Sequence, residues 1–169
     1  MALAVTHVLV VIIILELFRY YVFEKDKFPR YLVVIGGIAG LVPDVDIPLG
    51  WFLSLVSGTT VYFHGLFTHS IFFVLLFLAL AFIRHYQDDQ KWAKIFAVIA
   101  VGWFFHLVLD CFYGGFSSTE TKLFLWPLTI MPSFCPSWNV YLFAPHIDAI
   151  LLVVWLIHEE IHGYIKKYV

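Results

Sequence analysis

The chain has 169 residues, of which 62% are hydrophobic and 13% carry a formal charge, and its net charge is −2. A soluble globular domain is about half apolar and about a quarter charged, so this composition excludes an ordinary soluble protein and indicates an integral membrane protein. The length suits a single domain over residues 1–169, and two cysteines are too few for a disulfide framework.

Apolar segments predict an all-α bundle of about five transmembrane helices, with short amphipathic or re-entrant segments on the outer side. In chain order, the segments cover residues 2–18, 31–42, about 68–83, 95–111 and 146–157. Thr68 is a candidate cap for the third helix. Gly114 and Gly115 are expected to end the fourth.

The connectors between these helices differ in character. Asp44 and Asp46 follow the second helix between two prolines, which predicts that the helix ends there. Residues 50–60 predict a loop or a short interfacial helix. Residues 116–145 are rich in aromatics and proline, and they predict a segment that lies at the membrane surface or is partly re-entrant.

Alternation of the helices assigns each connector to one side of the membrane. Nine of the ten basic residues fall on the side that holds residues 19–30, residues 84–94 and the C-terminal tail, and only Lys122 falls on the other. Positively charged connectors are usually retained in the cytoplasm. We therefore expect a multi-pass protein of the cell membrane with its N-terminus outside and its C-terminus inside.

The same alternation gathers histidines and aspartates from separate parts of the chain at the outer ends of the helices. Imidazole and carboxylate together are typical ligands of zinc, manganese and iron. We therefore predict an outer metal site for one to three divalent ions, with zinc as the first expectation and manganese or iron as alternatives. The candidates are His7, Asp44, Asp46, His64, His69, His106, Asp110, His146 and Asp148.

His106 and Asp110 form the strongest pair among these candidates. They are four residues apart in an apolar helix pattern and therefore project from the same face. Ionisable side chains in lipid-like surroundings are costly, which favours a functional role. The alternative is a buried ion pair that only joins two helices.

The connector candidates have structural alternatives. Asp44 and Asp46 are expected to ligate a metal or act as a catalytic base, or else to mark a solvated turn. His64 and His69 are five residues apart, about 140° around an ideal helix. They can face one metal only if His64 precedes the helix, so His64 is also considered for a second metal or as a proton donor.

The remaining candidates lie close to helix ends. His7 is expected to be a metal ligand or an interfacial histidine. Asp148, with His146 nearby, is expected to be a ligand or the cap of the fifth helix. Cys111 and Cys135 both fall on the outer side, where they form either a disulfide or two buried thiols.

A mixed histidine and carboxylate set without a cysteine motif favours a catalytic centre over a structural zinc site. Metal-activated water at such a centre suits hydrolysis of a phosphoester. An opening at the membrane suggests a lipid-like or small membrane-proximal substrate. The near absence of positive charge on the outer side argues against nucleic-acid binding.

The order of these motifs resembles the YdjM-like family of inner-membrane-associated proteins. Its members are described as LexA-binding, predicted metal-dependent hydrolases, and are grouped with zinc-dependent phospholipase C and the S1/P1 nucleases. The resemblance rests on Thr6-His7, Val42-Pro-Asp-Val-Asp46, His64-x-x-Phe-Thr-His-Ser70, His106-x-x-x-Asp110 and Leu125-Trp-Pro127.

This resemblance implies that Asp110 bridges two ions. Two positions depart from the family pattern: Gly65 stands where arginine is frequent, and Ile47 stands where histidine is frequent. The missing arginine removes an obvious phosphate clamp. The ligands implied by the resemblance are His7, Asp44, His69, His106 and Asp110.

The sequence thus predicts a membrane-bound metal-dependent hydrolase and, within that class, a phosphoesterase. Two other functions use the same residues: a metal-ion or proton transporter with polar groups leading to both sides, and a non-catalytic scaffold with a structural metal. The dry inner halves of the helices favour the enzyme. The predicted metal ligands are His7, Asp44, His64, His69, His106, Asp110 and Asp148, and the predicted catalytic groups are Asp44, Asp46 and His64.

Overall fold

The computed structural model describes residues 4–23, 25–61, 64–65, 67–112 and 143–163. Within these residues the regular secondary structure is entirely helical, which confirms the all-α prediction. Short 3₁₀ helices cover Val42–Val45 and Phe67–His69. The α-helices are α1 (Ala4–Tyr21), α2 (Arg30–Ala39), α3 (Asp46–Ser57), α4 (Ile71–Tyr86), α5 (Gln90–Phe112) and α6 (Ala144–Ile161).

Two of these helices, α1 and α5, are long and apolar enough to cross a membrane. Arg30–Ala39 and Val42–Ser57 together form a third candidate, bent by 47° at the break between them, as in a broken span or a re-entrant loop. The apolar helix α4 has only 16 residues. The described residues therefore contain two or three candidate spans, and five spans remain a prediction.

Pro43 explains why α2 ends early. A proline ring clashes with the carbonyl group four residues before it, here that of Ala39, and cannot donate a hydrogen bond to it. The helix accordingly ends at Ala39 rather than at Val42, and the chain continues as a 3₁₀ helix. Helix α3 then fills much of the segment that predicted a loop or an interfacial helix.

Ser70, and not Thr68, caps α4. The Ser70 hydroxyl oxygen accepts a hydrogen bond from the backbone N–H of Phe72 at 3.1 Å. The Thr68 hydroxyl instead donates to Asp46 Oδ2 at 2.8 Å. The cap prediction is therefore wrong, because α4 begins at Ile71 directly after Ser70, whereas Thr68 lies within the second 3₁₀ helix.

Helix α5 packs against α4, α2 and α1, and it holds the described core together. On one side, Val98 joins Val11 of α1 and Leu32 of α2 in a buried cluster. On another side, Trp103 packs in a buried cluster with Val74 of α4. The positions of side chains near the C-terminal end of α5 are therefore fixed relative to three other helices.

Gly102 allows α5 to approach α2 closely. A Cβ atom at this position would lie 2.4 Å from the carbonyl oxygen of Gly36 and 2.8 Å from the backbone nitrogen of Gly40. Both are backbone atoms and cannot rotate away. Since His106 is one helical turn further along the same face, this close approach also sets the distance between His106 and Gly40.

Candidate metal centre

Four side chains from three parts of the chain meet at one point. Asp44 comes from the first 3₁₀ helix, His69 from the second, and His106 and Asp110 from the last turns of α5. One potential ligand atom of each residue lies within 4.8 Å of the others. We call these residues the four-ligand cluster; Asp44 is partly buried and the other three are fully buried.

The distances within the four-ligand cluster match a metal coordination sphere. His69 Nε2 lies 3.1 Å from His106 Nε2 and 3.5 Å from Asp110 Oδ2. His106 Nε2 lies 3.3 Å from Asp110 Oδ2, and Asp44 Oδ1 lies 3.6 Å from both imidazole nitrogens. Ligands about 2.0–2.1 Å from a tetrahedral zinc ion are about 3.3 Å from one another. The cluster thus has the dimensions of a single metal site.

Hydrogen bonds at Nδ1 of His69 and His106 turn the Nε2 lone pair of each ring towards the centre of the four-ligand cluster. His106 Nδ1 lies 2.8 Å from the carbonyl oxygen of Gly40, which can only accept, so Nδ1 carries the proton and Nε2 the lone pair. His69 Nδ1 lies 3.1 Å from Thr68 Oγ1 and 3.4 Å from Asp46 Oδ2, which places its proton in the same way. Two such lone pairs 3.1 Å apart repel each other unless a proton or a metal ion lies between them. The donor set therefore fits a metal ion.

Asp110 presents its other oxygen to His7. Asp110 Oδ1 lies 3.3 Å from His7 Nε2, whereas Oδ2 belongs to the four-ligand cluster. The His7 ring stacks on that of His106 with centroids 4.0 Å apart, and His7 Nδ1 is buried without a hydrogen-bond partner. The carboxylate of Asp110 is therefore oriented as a bridging ligand would be, with His7 on its far side.

Asp46 lies outside the four-ligand cluster and contacts the Nδ1 side of His69. Its Oδ1 lies 3.0 Å from His64 Nδ1, and its Oδ2 accepts hydrogen bonds from the backbone N–H of Gly65 at 3.2 Å and the hydroxyl of Thr68 at 2.8 Å. Asp46, His64 and His69 are also close enough to hold an ion. However, His69 would then use Nδ1 there and Nε2 in the four-ligand cluster, and a neutral imidazole has only one lone pair. We therefore assign Asp46 and His64 to positioning His69.

Gly65 has a backbone conformation that favours glycine. Its φ of 78° lies in the left-handed region, which glycine adopts without strain and arginine does not. In this conformation the Gly65 N–H reaches Asp46 Oδ2. The position that departs from the family pattern therefore contributes a backbone donor to the support of the cluster.

The charge of the site calls for a cation. Burial opposes protonation of His69, but the neighbouring carboxylates of Asp44, Asp46 and Asp110 outweigh it, and they raise the pKa of the imidazole to about 9. With neutral imidazoles, the two carboxylates of the four-ligand cluster carry two negative charges. A divalent ion would balance them.

The other candidates lie outside the four-ligand cluster. Asp148 of α6 accepts a hydrogen bond from the Thr6 hydroxyl, beside His7, and so holds α6 against the start of α1. His146 is exposed. Cys111 is disulfide-bonded, which favours the disulfide over two thiols. Its prospective partner Cys135 lies outside the described residues, as do residues 116–142 of the aromatic segment.

Sequence reasoning missed the carbonyl group of Gly40, which fixes the tautomer of His106. A partial signal exists, because Gly36, Gly37 and Gly40 are spaced as in a helix that packs closely against a neighbour. That spacing predicts close approach, but it does not indicate which carbonyl group the neighbouring helix will contact.

Comparison with known proteins adds one result. No curated protein and no solved structure matches the chain significantly. Residues 1–167 match the model of a family described as YdjM inner membrane protein, and the match includes every member of the four-ligand cluster. The chain therefore belongs to the YdjM inner membrane protein family.

Proposed function

We propose that the chain is a membrane-bound, metal-dependent hydrolase that cleaves a lipid-like or membrane-proximal phosphoester. The observation that carries the proposal is the convergence of two imidazole lone pairs and two carboxylate oxygens at coordination distance in a buried site. Zinc suits this nitrogen and oxygen donor set, with manganese and iron as alternatives.

Two features support a catalytic rather than a structural ion. Structural zinc sites are usually closed by four ligands that include cysteines, whereas this cluster consists of histidine and aspartate. The Asp44 side chain is also 13% exposed, against 0–3% for the other three members, so the site is most open on that side. A bound divalent ion would lower the pKa of a neighbouring water and polarise a phosphoryl oxygen.

The roles of the protein groups follow from their contacts. His69, His106 and Asp110 are held from behind and would keep the ion in place. Asp44 Oδ1 is buried without a hydrogen-bond partner and faces both imidazoles, so it would complete the coordination or accept a proton from water. His7, beyond the other oxygen of Asp110, would bind a second ion or donate a proton to the leaving group.

We further propose a multi-pass arrangement of five spans with the cluster on the outer side of the membrane. The basic residues of the chain support this orientation, since all but Lys122 belong to the opposite side in the five-span arrangement. The disulfide of Cys111 supports it independently. Cys111 follows Asp110 directly, and disulfides persist on the oxidising side of a membrane.

The proposal is tested by metal analysis and turnover on the same purified protein. Wild-type protein is expected to retain zinc and to hydrolyse bis(4-nitrophenyl) phosphate, whereas Asp110→Asn is expected to lose both. Asp26→Asn, which changes an exposed carboxylate on the connector between α1 and α2, serves as the matched control and should lose neither.

Two results would contradict the proposal. Retained zinc without turnover of any phosphoester would support a scaffold with a structural metal. Zinc transport into protein-containing vesicles that depends on Asp110, again without turnover, would support the transporter.

A further inference from the structure

An apolar pocket of about 320 Å³ borders residues that support the four-ligand cluster. It lies between the first 3₁₀ helix with the start of α3 on one side and α4 with α5 on the other. Asp46 and Thr68 line it, and both hold the Nδ1 side of His69. The pocket therefore borders the residues that position His69, and Asp44 of the four-ligand cluster adjoins Val45 of its lining.

Aromatic rings line the inner end of the pocket, and the polar atoms there already have hydrogen-bond partners. Phe73 and Trp103 stack with ring centroids 4.9 Å apart, and Trp103 is only 6% exposed. The indole N–H of Trp103 donates to the carbonyl oxygen of Thr68 at 2.9 Å, and the Thr68 hydroxyl donates to Asp46. A ligand in this pocket would consequently meet hydrocarbon surface.

The first 3₁₀ helix connects the pocket to the cluster. Val42 and Val45 are three residues apart, one turn of a 3₁₀ helix, so they lie on one face and both line the pocket. Asp44 lies on another face and belongs to the four-ligand cluster. Val45 and Leu49, 57% and 49% exposed, give the mouth an apolar rim that suits entry from lipid.

We propose that this pocket binds one hydrocarbon chain of a lipid phosphoester and thereby places its head group at the four-ligand cluster. This inference rests on the proposed function and adds the substrate class. A volume of about 320 Å³ is at the lower end of ligand pockets, about 300–1,000 Å³, and so suits a segment of one chain. Acyl chains and polyprenyl chains share this chemistry.

Binding is tested without turnover by photolabelling. Wild-type protein in detergent micelles is labelled with a phospholipid that carries a diazirine at the end of one chain. The peptide that contains Trp103 should be labelled, and Leu49→Trp or Val45→Phe, which fill the mouth, should remove that label. Leu55→Trp is the matched control on α3; Leu55 is 82% exposed and does not line the pocket.

Absence of the Trp103 label in wild type, or its persistence in both mouth variants, would overturn the proposal that the pocket binds a hydrocarbon chain. Unlabelled competitors identify the chain: competition by dioleoyl phosphatidylglycerol alone indicates acyl chains, and competition by farnesyl phosphate alone indicates polyprenyl chains. Failure of both competitors would also overturn it.

Turnover provides the second arm. In Leu49→Trp, the kcat/KM for a long-chain phospholipid should fall about tenfold more than that for bis(4-nitrophenyl) phosphate, which has no chain. Equal losses on both substrates would overturn the chain-binding role. If wild type hydrolyses neither substrate, the proposed function fails, and the photolabel still decides whether the pocket holds a chain.

Discussion

Gly102→Ala should damage the metal centre without changing any ligand. The added Cβ would lie 2.4 Å from the carbonyl oxygen of Gly36, whereas ordinary contacts of a Cβ begin at 3.4 Å. Because the obstruction is backbone, α5 must move away from α2 by about 1 Å, the difference between these distances. Overpacking of this kind also costs about 1–3 kcal/mol of stability.

The displacement acts on His106, one helical turn away. Its Nδ1 lies 2.8 Å from the carbonyl oxygen of Gly40, and a shift of that size takes the pair beyond hydrogen-bond distance. Loss of such an outer contact lowers metal affinity about 10- to 100-fold. We expect a decrease of this size in zinc affinity, measured by competition with a chromogenic chelator.

The control for this experiment is Phe104→Ala, which truncates a 43% exposed side chain on the same helix and should leave zinc affinity unchanged. Wild-type zinc affinity in folded Gly102→Ala would refute the reasoning, because it would mean that the contact between α2 and α5 does not position His106.

Three further predictions concern the surroundings of the cluster. Asp46→Asn should lower zinc affinity about 10- to 100-fold, measured by chelator competition, because Asp46 orients His69; complete loss, as expected for Asp110→Asn, would instead make it a ligand. Zinc affinity should rise with pH up to about 9 and then level off, because His69 is protonated below its raised pKa and must lose that proton to bind zinc. Isothermal titration at several pH values measures this dependence. A zinc affinity that does not change with pH would contradict the prediction. Asp148→Ala removes the acceptor of the Thr6 hydroxyl, so it should speed hydrogen exchange in α6. The number of zinc ions bound per chain should stay unchanged. Loss of zinc would instead indicate that Asp148 is a ligand.

The gathering of the ligands was predictable because it depends on coarse properties of the chain. The predicted alternation of apolar helices placed Asp44, His69 and Asp110 in one group, and in the structure one ligand atom of each lies within 4.8 Å of the others. The spacing of His106 and Asp110 within one helix then fixes their common face. A prediction based on these features does not change when a predicted helix end is wrong by a few residues.

The supporting contacts were not predictable because they depend on atomic positions in three dimensions. Thr68 and Ser70 are both acceptable caps by residue type, and only the start of α4 at Ile71 decides which one caps it. The carbonyl group of Gly40 becomes a partner for His106 only when α2 and α5 approach closely. Neither the exact start of α4 nor the distance between α2 and α5 can be read from the local sequence pattern.

X-ray absorption spectroscopy at the zinc edge tests the metal centre most directly. Zinc-loaded wild-type protein should show only nitrogen and oxygen ligands at about 2.0–2.1 Å, including two imidazoles. A sulfur shell near 2.3 Å, fewer than two imidazoles, or failure of the protein to retain zinc would contradict the four-ligand cluster as the metal site.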